Sequence, residues 1–269
     1  MLEQKSGHWQ HFAAQSTPGA GFDTDFAAVN GGGPSFIKRI IRDTIMRARG
    51  TDLDRHAKAF SSIWPDGPIS LPAVKRAGGT PIAFLGAHFA NTVLTALPPT
   101  LICHPPTYLE IGAGSGYLTY FLLSQDQMSR AVIIDLPEVG ELGRQNLERL
   151  GVADRIKFLT PDQAETVDTF NVALNTASMQ EMLPETIAAY FEFLRRKRAA
   201  HQSAFYCCNR IEKFLSTEPG NSDVPGARRD ISVRFDEYPW GKEETVIDRR
   251  SVIHDLLGMQ PCHERMIEL

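Results

Sequence analysis

Cysteine is scarce in this chain: four residues in 269, Cys103, Cys207, Cys208 and Cys262, with no C-x-x-C spacing. That excludes a disulfide framework and a zinc ribbon, and the adjacent pair inside "SAFYCCN" reads as reduced thiols of a buried strand. Basic charge is not in excess either. Lys and Arg number 28 against 32 Asp and Glu, a formal charge of −4, so there is no global attraction to nucleic acid or to an anionic membrane. Apolar runs of roughly 18 residues are absent, and "MLEQKSGHWQHF" lacks the apolar centre of a signal peptide, so a cytoplasmic protein with no membrane partner is expected. No repeat or low-complexity tract occurs, and no His, Cys, Asp or Glu cluster has metal-ligand spacing; no metal is expected.

What is present is an ordinary globular composition, 42% apolar and 22% charged, enough for one large domain with an appendage. The character of the chain changes near residue 106. Residues 1–106 read as a flexible lead-in and a helical cap region. Within it "SFIKRIIRDTIMRAR" spaces Phe36, Ile37, Ile40, Ile41, Ile45 and Met46 as one face of a helix, with Ser35 as N-cap and Gly50 as stop. A further helix is expected over Ile82 to Ala96, ended by "LPPT".

Residues 107–269 read as the main domain. "TYLEIG", "AVIIDL", "IKFLT", "FNVALN" and "SAFYCCN" are strand candidates, separated by helical stretches near 116–125, 139–150 and 184–199. This alternation predicts an α/β fold, a doubly wound and mostly parallel sheet, to which "ETVIDRRSVI" and "PCHERMIEL" add an antiparallel edge. Between the first strand and the first helix stands "YLEIGAGSGYLTYFLL", where Gly112, Gly114 and Gly116 alternate with small residues. Glycines there allow a tight turn and let a ligand approach the backbone and the free N–H groups of the helix start. The stretch departs from G-x-G-x-x-G, because Tyr117 takes the third glycine's place, and reads E-x-G-x-G-x-G instead. Asp135, 25 residues after Glu110, ends the next strand, where a carboxylate suits ribose hydroxyls.

This combination resembles the class I S-adenosylmethionine-dependent methyltransferases, and "IIDLPEV", "NTASMQEM" and "FYCCNRIEK" are more narrowly similar to a bacterial group of sugar O-methyltransferases. The resemblance covers residues 107–269. It implies a seven-stranded sheet and S-adenosyl-L-methionine as cofactor. Glu110, Gly112, Ala113, Gly114 and Gly116 would line its methionine and ribose, and Asp135 with Leu136 its ribose and adenine. Asp162 or Gln163 would reach the adenine amino group, although an Asp there equally suits capping of a turn. Asn175 and the pair Gln180–Glu181 would stand where the methyl group emerges, although Ser178 and Glu181 equally make a capping box.

A sugar hydroxyl needs a general base. Glu181 is one candidate. His88, on the helix before the main domain with Asn91 one turn on, is the other; His201 and His254 rank below them. The long segment Ile211 to Lys242, carrying Arg228, Arg229, Arg234, Tyr238 and Trp240, suits a lid over a sugar, or a surface excursion pinned by Trp240. The expected partner is a small-molecule acceptor, a sugar or glycoside, with an oligomer possible. Two other readings stand beside it: a nucleic-acid methyltransferase, for which "LRRKR" at 194–198 is the support, and a cofactor-binding domain without catalysis.

Overall fold

A computed structural model describes residues 52–97, 105–199, 203–215 and 231–269. The expected helix from Ser35 to Gly50, together with Cys103, His201, Arg228 and Arg229, lies outside the described residues. Three helices come first: α1 (Asp52–Ile63), α2 (Leu71–Arg76) and α3 (Pro81–Ala96). Thr80 caps α3, its hydroxyl accepting from the Ala83 N–H at 3.2 Å, and Pro81 occupies the first turn, where its missing N–H costs nothing.

The rest builds on a sheet. In chain order come β1 (Thr107–Ile111), α4 (Tyr117–Leu123), β2 (Arg130–Ile134), α5 (Pro137–Arg149), β3 (Ile156–Leu159), β4 (Val172–Thr176), α6 (Pro184–Lys197) and β5 (Ala204–Arg210). Then follow β6 (Glu212–Leu215), β7 (Ile231–Arg234), β8 (Glu244–Arg250), α7 (Val252–Leu257) and β9 (Cys262–Glu268). Seven strands form one sheet in the order β3-β2-β1-β4-β5-β9-β8. Its first five strands are parallel, while β9 runs antiparallel between β5 and β8. The order reverses between β1 and β4, and loops at the carboxyl ends of those two strands face a common crevice.

Side-chain alternation sends each strand into two cores. Tyr108, Tyr206 and Met266 join Phe60, Ala87, Phe89, Val93, Leu122 and Leu257 under α1, α3, α4 and α7. Leu109, Ile111, Ala173 and Phe205 meet Ile187, Phe191 and Leu194 of α6 on the opposite face. Burial on both sides explains why the parallel strands are nearly all apolar. Each such side chain contributes about 1.5–3 kcal/mol. The helices before β1 thus share a continuous core with the sheet.

The segment between β5 and β8 differs from a plain loop. β6 and β7 pair as a separate antiparallel ribbon, with Lys213 opposite Val233. Tyr238 is buried, and Trp240 packs against Phe191 and Phe235, donating from Nε1 to the Phe235 carbonyl at 2.8 Å. The Arg265 guanidinium lies 4.6 Å from the Trp240 ring centre. These contacts pin residues 235–240 to the core.

Candidate functional site

The crevice begins with the turn after β1. Gly112, Gly114 and Gly116 have φ of 69°, 54° and 75°, the left-handed region that other residues enter at a cost. Space is also short at two of them. A Cβ on Gly112 would lie 2.1 Å from the Ser178 Oγ, and one on Gly116 would lie 2.5 Å from a Leu147 methyl. Gly112, Ala113 and Gly114 are half-buried, so the bare backbone is open to a ligand.

Two buried carboxylates flank this turn. Asp135 accepts from the Gly114 N–H at 2.9 Å and from the Leu136 N–H at 2.8 Å, so it ties the glycine loop to the start of α5. Burial raises it to about 6, opposed by the N–H groups of Gly114, Leu136 and Ala113. At neutral pH it is ionised, and each oxygen keeps a lone pair beyond its backbone bond. Glu110 lies deeper. The Thr119 hydroxyl donates to its Oε2 at 2.5 Å, and burial pushes it up to about 8. Glu110 therefore carries a proton at neutral pH. Leu136 is buried beside Asp135.

After β3, Asp162 and Gln163 are exposed and serve their own turn: the Thr160 hydroxyl donates to Asp162 Oδ1, and the Thr160 N–H donates to Gln163 Oε1 at 3.1 Å.

After β4 the chain makes a strained turn. Ala177 has φ of 56°, and it is the one non-glycine residue with positive φ among the described residues. Asn175 is fully buried and bonded on both ends: Nδ2 donates to the Ile111 carbonyl at 2.8 Å and to Ser178 Oγ at 2.7 Å, while Oδ1 accepts from Asn209 Nδ2 at 2.7 Å. Asn175 thus locks the ends of β1, β4 and β5 together. Gln180 continues the chain of bonds, with its N–H donating to Asn209 Oδ1 at 3.1 Å, its Oε1 accepting from the Arg210 N–H at 2.8 Å and its Nε2 donating to Glu181 at 3.1 Å. The chain ends at Glu181, whose other oxygen pairs with Lys213 of β6. No capping box forms here, because Ser178 Oγ donates to the Ile111 carbonyl instead of serving the N–H of Glu181.

His88 stands elsewhere. On α3 it is 1% exposed; its Nδ1 accepts from Trp64 Nε1 at 2.9 Å, which leaves Nε2 to carry the hydrogen and face Glu264 Oε1 at 3.3 Å. Burial lowers its pKa, against the raising effect of Glu264, so the ring is neutral. With one nitrogen accepting and the other protonated, His88 has no lone pair left for a substrate proton. Asn91, one turn on, is likewise committed to the backbone of Ile69, at 2.6 and 3.0 Å. His254, also buried, meets Ser251.

The structure thus gathers Glu110, Gly112, Ala113, Gly114, Gly116, Asp135, Leu136, Asn175 and Glu181 at one end of the sheet, and leaves His88 in a separate polar cluster on the face under α3. Sequence reasoning missed Thr119, Asn209 and Lys213. Thr119 was visible as a polar residue inside "YLTYFLL"; Asn209 and Lys213 lie within "FYCCNRIEK", where nothing but the resemblance marked them. Among the described residues no three His, Cys, Asp or Glu side chains come together as a possible metal site, and no helix is long and apolar enough to cross a membrane.

No family model matches the chain, and no curated protein matches it. Solved structures do. An O-methyltransferase family 2 protein from Planctomyces limnophilus, in complex with apigenin, is 16% identical over 70% of this chain and 58% of its own, with a TM-score of 0.48. Mitomycin 7-O-methyltransferase MmcR is 17% identical over 69% of this chain and 56% of its own, with a TM-score of 0.42. The pyocyanin biosynthetic protein PhzM is 15% identical over 78% of this chain and 61% of its own, with a TM-score of 0.43. The chain therefore spans less than two thirds of the length of these structures.

Proposed function

We propose that the protein is an S-adenosylmethionine-dependent O-methyltransferase acting on a hydroxyl of a small molecule, and that the acceptor is a sugar or glycoside. The observation that supports this best is the left-handed glycine turn at the switch point, tied through the Gly114 N–H to an ionised, buried Asp135 at the end of β2. The residues present fit the cofactor. Asp135 keeps acceptor capacity for ribose hydroxyls, and Gly112, Ala113 and Gly114 present half-open backbone without side-chain obstruction. When bound, S-adenosylmethionine supplies a sulfonium methyl group open to nucleophilic attack.

The chain's own residues then have limited work. The glycine turn and Asp135 hold the ligand in place, and positioning of this kind accounts for several kcal/mol of a barrier, roughly 7–11 kcal/mol at the upper end. A proton must leave the acceptor hydroxyl. Glu181, buried in the post-β4 turn and held by Gln180 and Lys213, is the carboxylate we assign to receive that proton. The sugar specificity rests on the resemblance of "IIDLPEV" and "NTASMQEM", and the cytoplasmic placement on the sequence alone.

Three of the four basic residues behind the nucleic-acid reading are engaged within the chain. Arg195 pairs with Glu243, Arg196 holds Glu165 through two bonds of 2.9 and 2.7 Å, and Lys197 caps the carbonyls of Glu165 and Val167. Calorimetry with S-adenosylhomocysteine tests the cofactor half of the proposal. The wild type should bind and Asp135→Ala should bind at least ~tenfold more weakly, since a charge-assisted hydrogen bond contributes about 1.5–3 kcal/mol. Absence of binding by the wild type would refute it. Incubation with methyl-labelled S-adenosylmethionine and a panel of glycosides and phenols, read by product mass, tests the acceptor.

A further inference from the structure

The space beside Gly112 is taken by a residue of another turn. A side chain at position 112 would collide with both the Oγ and the Cβ of Ser178. Ser178 is buried, and its Oγ donates to the Ile111 carbonyl at 3.1 Å while accepting from Asn175 Nδ2 at 2.7 Å. Asn175 Nδ2 reaches the same carbonyl at 2.8 Å. The last carbonyl of β1, immediately before the glycine turn, is thus held twice from the end of β4.

The main chain of Ser178 serves a different group. Its carbonyl accepts from the Glu181 N–H at 2.9 Å, closing the single turn of residues 179–181 that carries the carboxylate. The residue before it, Ala177, is the one with φ of 56°, where a Cβ is crowded. A non-glycine residue keeps such a conformation only where its surroundings over-determine it, and such strain gathers at functional sites. Three bonds do so here: the Ala177 N–H donates to the Cys208 carbonyl at 2.8 Å, the Met179 N–H to Asn175 Oδ1 at 3.3 Å and the Gln180 N–H to Asn209 Oδ1 at 3.1 Å. The chain is bent against its preference at the step that delivers Ser178 to Ile111.

We infer that Ser178 is a positioning residue that fixes the glycine turn and Glu181 relative to each other, a role that rests on the methyltransferase reading above. Its side chain holds the Ile111 carbonyl and fills the space beside Gly112, so Gly112, Ala113 and Gly114 keep the shape in which their backbone is presented to the cofactor. Its main chain holds the turn of the proton acceptor. Ser178 acts through these residues and moves no proton itself. On the far side the glycine turn has two further supports, the Gly112 N–H donating to the Ile134 carbonyl at 2.8 Å and the Gly114 N–H donating to Asp135 at 2.9 Å. Loss of the Ser178 hydroxyl therefore loosens the turn without detaching it.

Ser178→Ala in the full chain removes the hydroxyl and keeps the Cβ. By calorimetry it should bind S-adenosylhomocysteine at least ~fivefold more weakly than wild type, because apparent affinity scales with the fraction of protein whose turn is in the competent shape. With no ligand present, amide hydrogen exchange at Gly112, Gly114 and Glu181 should speed at least ~fivefold while exchange across α6 keeps its wild-type rate; a residue that only added overall stability would speed α6 as well. A second pair of variants asks whether the two residues share one space. Gly112→Ala should lose binding, and Gly112→Ala with Ser178→Gly, which empties the facing position, should regain at least ~fivefold. Wild-type affinity in Ser178→Ala would overturn the assignment, as would unchanged exchange at Gly112 or a double variant that binds no better than Gly112→Ala. If wild type itself does not bind, the cofactor reading fails and the assignment falls with it; binding by wild type with no change in Ser178→Ala fails the assignment alone.

Discussion

Replacing Glu110 by Gln should change how the stability of the unliganded protein depends on pH. Gln keeps the shape and can accept the Thr119 hydroxyl, but it cannot titrate. In the folded protein burial raises Glu110 to about 8 from 4.5, so between those values the folded chain holds a proton that the unfolded chain has released. Stability from such a group is complete below the unfolded pKa and is lost as pH rises toward 8. Between pH 6 and pH 8 the slope is close to one proton, at about 1.4 kcal/mol per unit, and it weakens as the folded group itself ionises. The wild type should therefore lose about 2 kcal/mol over that interval through this residue. Asp135 adds a smaller loss of the same sign, since most of its release lies below about 6. His88, lowered by burial, acts in the opposite direction as pH falls toward 6.5. The His88 contribution is common to wild type and Glu110→Gln, and because the Asp135 charge also raises Glu110, the difference between the two slopes reads Glu110 together with its coupling to Asp135. Urea denaturation of both proteins at pH 6, 7 and 8, at fixed ionic strength, gives the comparison. Parallel slopes would show that Glu110 is ionised in the folded protein and that burial does not dominate its titration.

Gly114→Val should abolish S-adenosylhomocysteine binding by calorimetry while the chain remains folded by circular dichroism, because a branched side chain in the left-handed region is strained and stands in the open part of the turn. Lys213→Met should lower unfolding stability by about 3–5 kcal/mol, since it leaves Glu181 buried without its counter-ion; the double variant with Glu181→Gln should recover part of that loss, and denaturation of both decides it. Trp64→Phe should cost about 1–3 kcal/mol by leaving the buried Nδ1 of His88 without a donor, measured the same way. Once an acceptor is found, Glu181→Gln should lower turnover at least ~tenfold with cofactor affinity within about 1 kcal/mol of wild type; full turnover would remove Glu181 as base.

The elements most legible in the sequence were those under local control. The helix expected over Ile82 to Ala96 is α3, and the runs "YLEI", "AVII" and "VALN" are apolar apart from Glu110 and Asn175 because both faces of their strands are covered. The three glycines were legible for the same reason: each needs a backbone conformation that other residues avoid, and that need is written at its own position. The ribbon of β6 and β7 was not. Its strands are four residues long with mixed burial, and they are separated by more chain than a hairpin turn, so no alternation stood out.

Polar residues divide along the same line. Asn175 and Asp135 were noticed because they end apolar strands, yet what each touches depends on partners far along the chain, Asn209 for one and Gly114 for the other. His88 shows the limit most clearly. From sequence it is a histidine on a helix, equally suited to proton transfer or to packing, and the choice turns on Trp64 and Glu264, 24 and 176 residues away. Those two groups fill both ring nitrogens and exclude water, so the imidazole becomes a strut between α3 and β9. Glu181 escapes that fate by geometry alone. It ends the polar chain that starts at the Ile111 carbonyl, and its carboxylate meets a flexible ammonium from the neighbouring ribbon in place of a second rigid donor. A lysine ammonium carries three donors on a flexible stem, and each carboxylate oxygen accepts more than one hydrogen bond, so Lys213 can stay paired with Glu181 while an acceptor hydroxyl shares the same oxygen and the network behind stays intact.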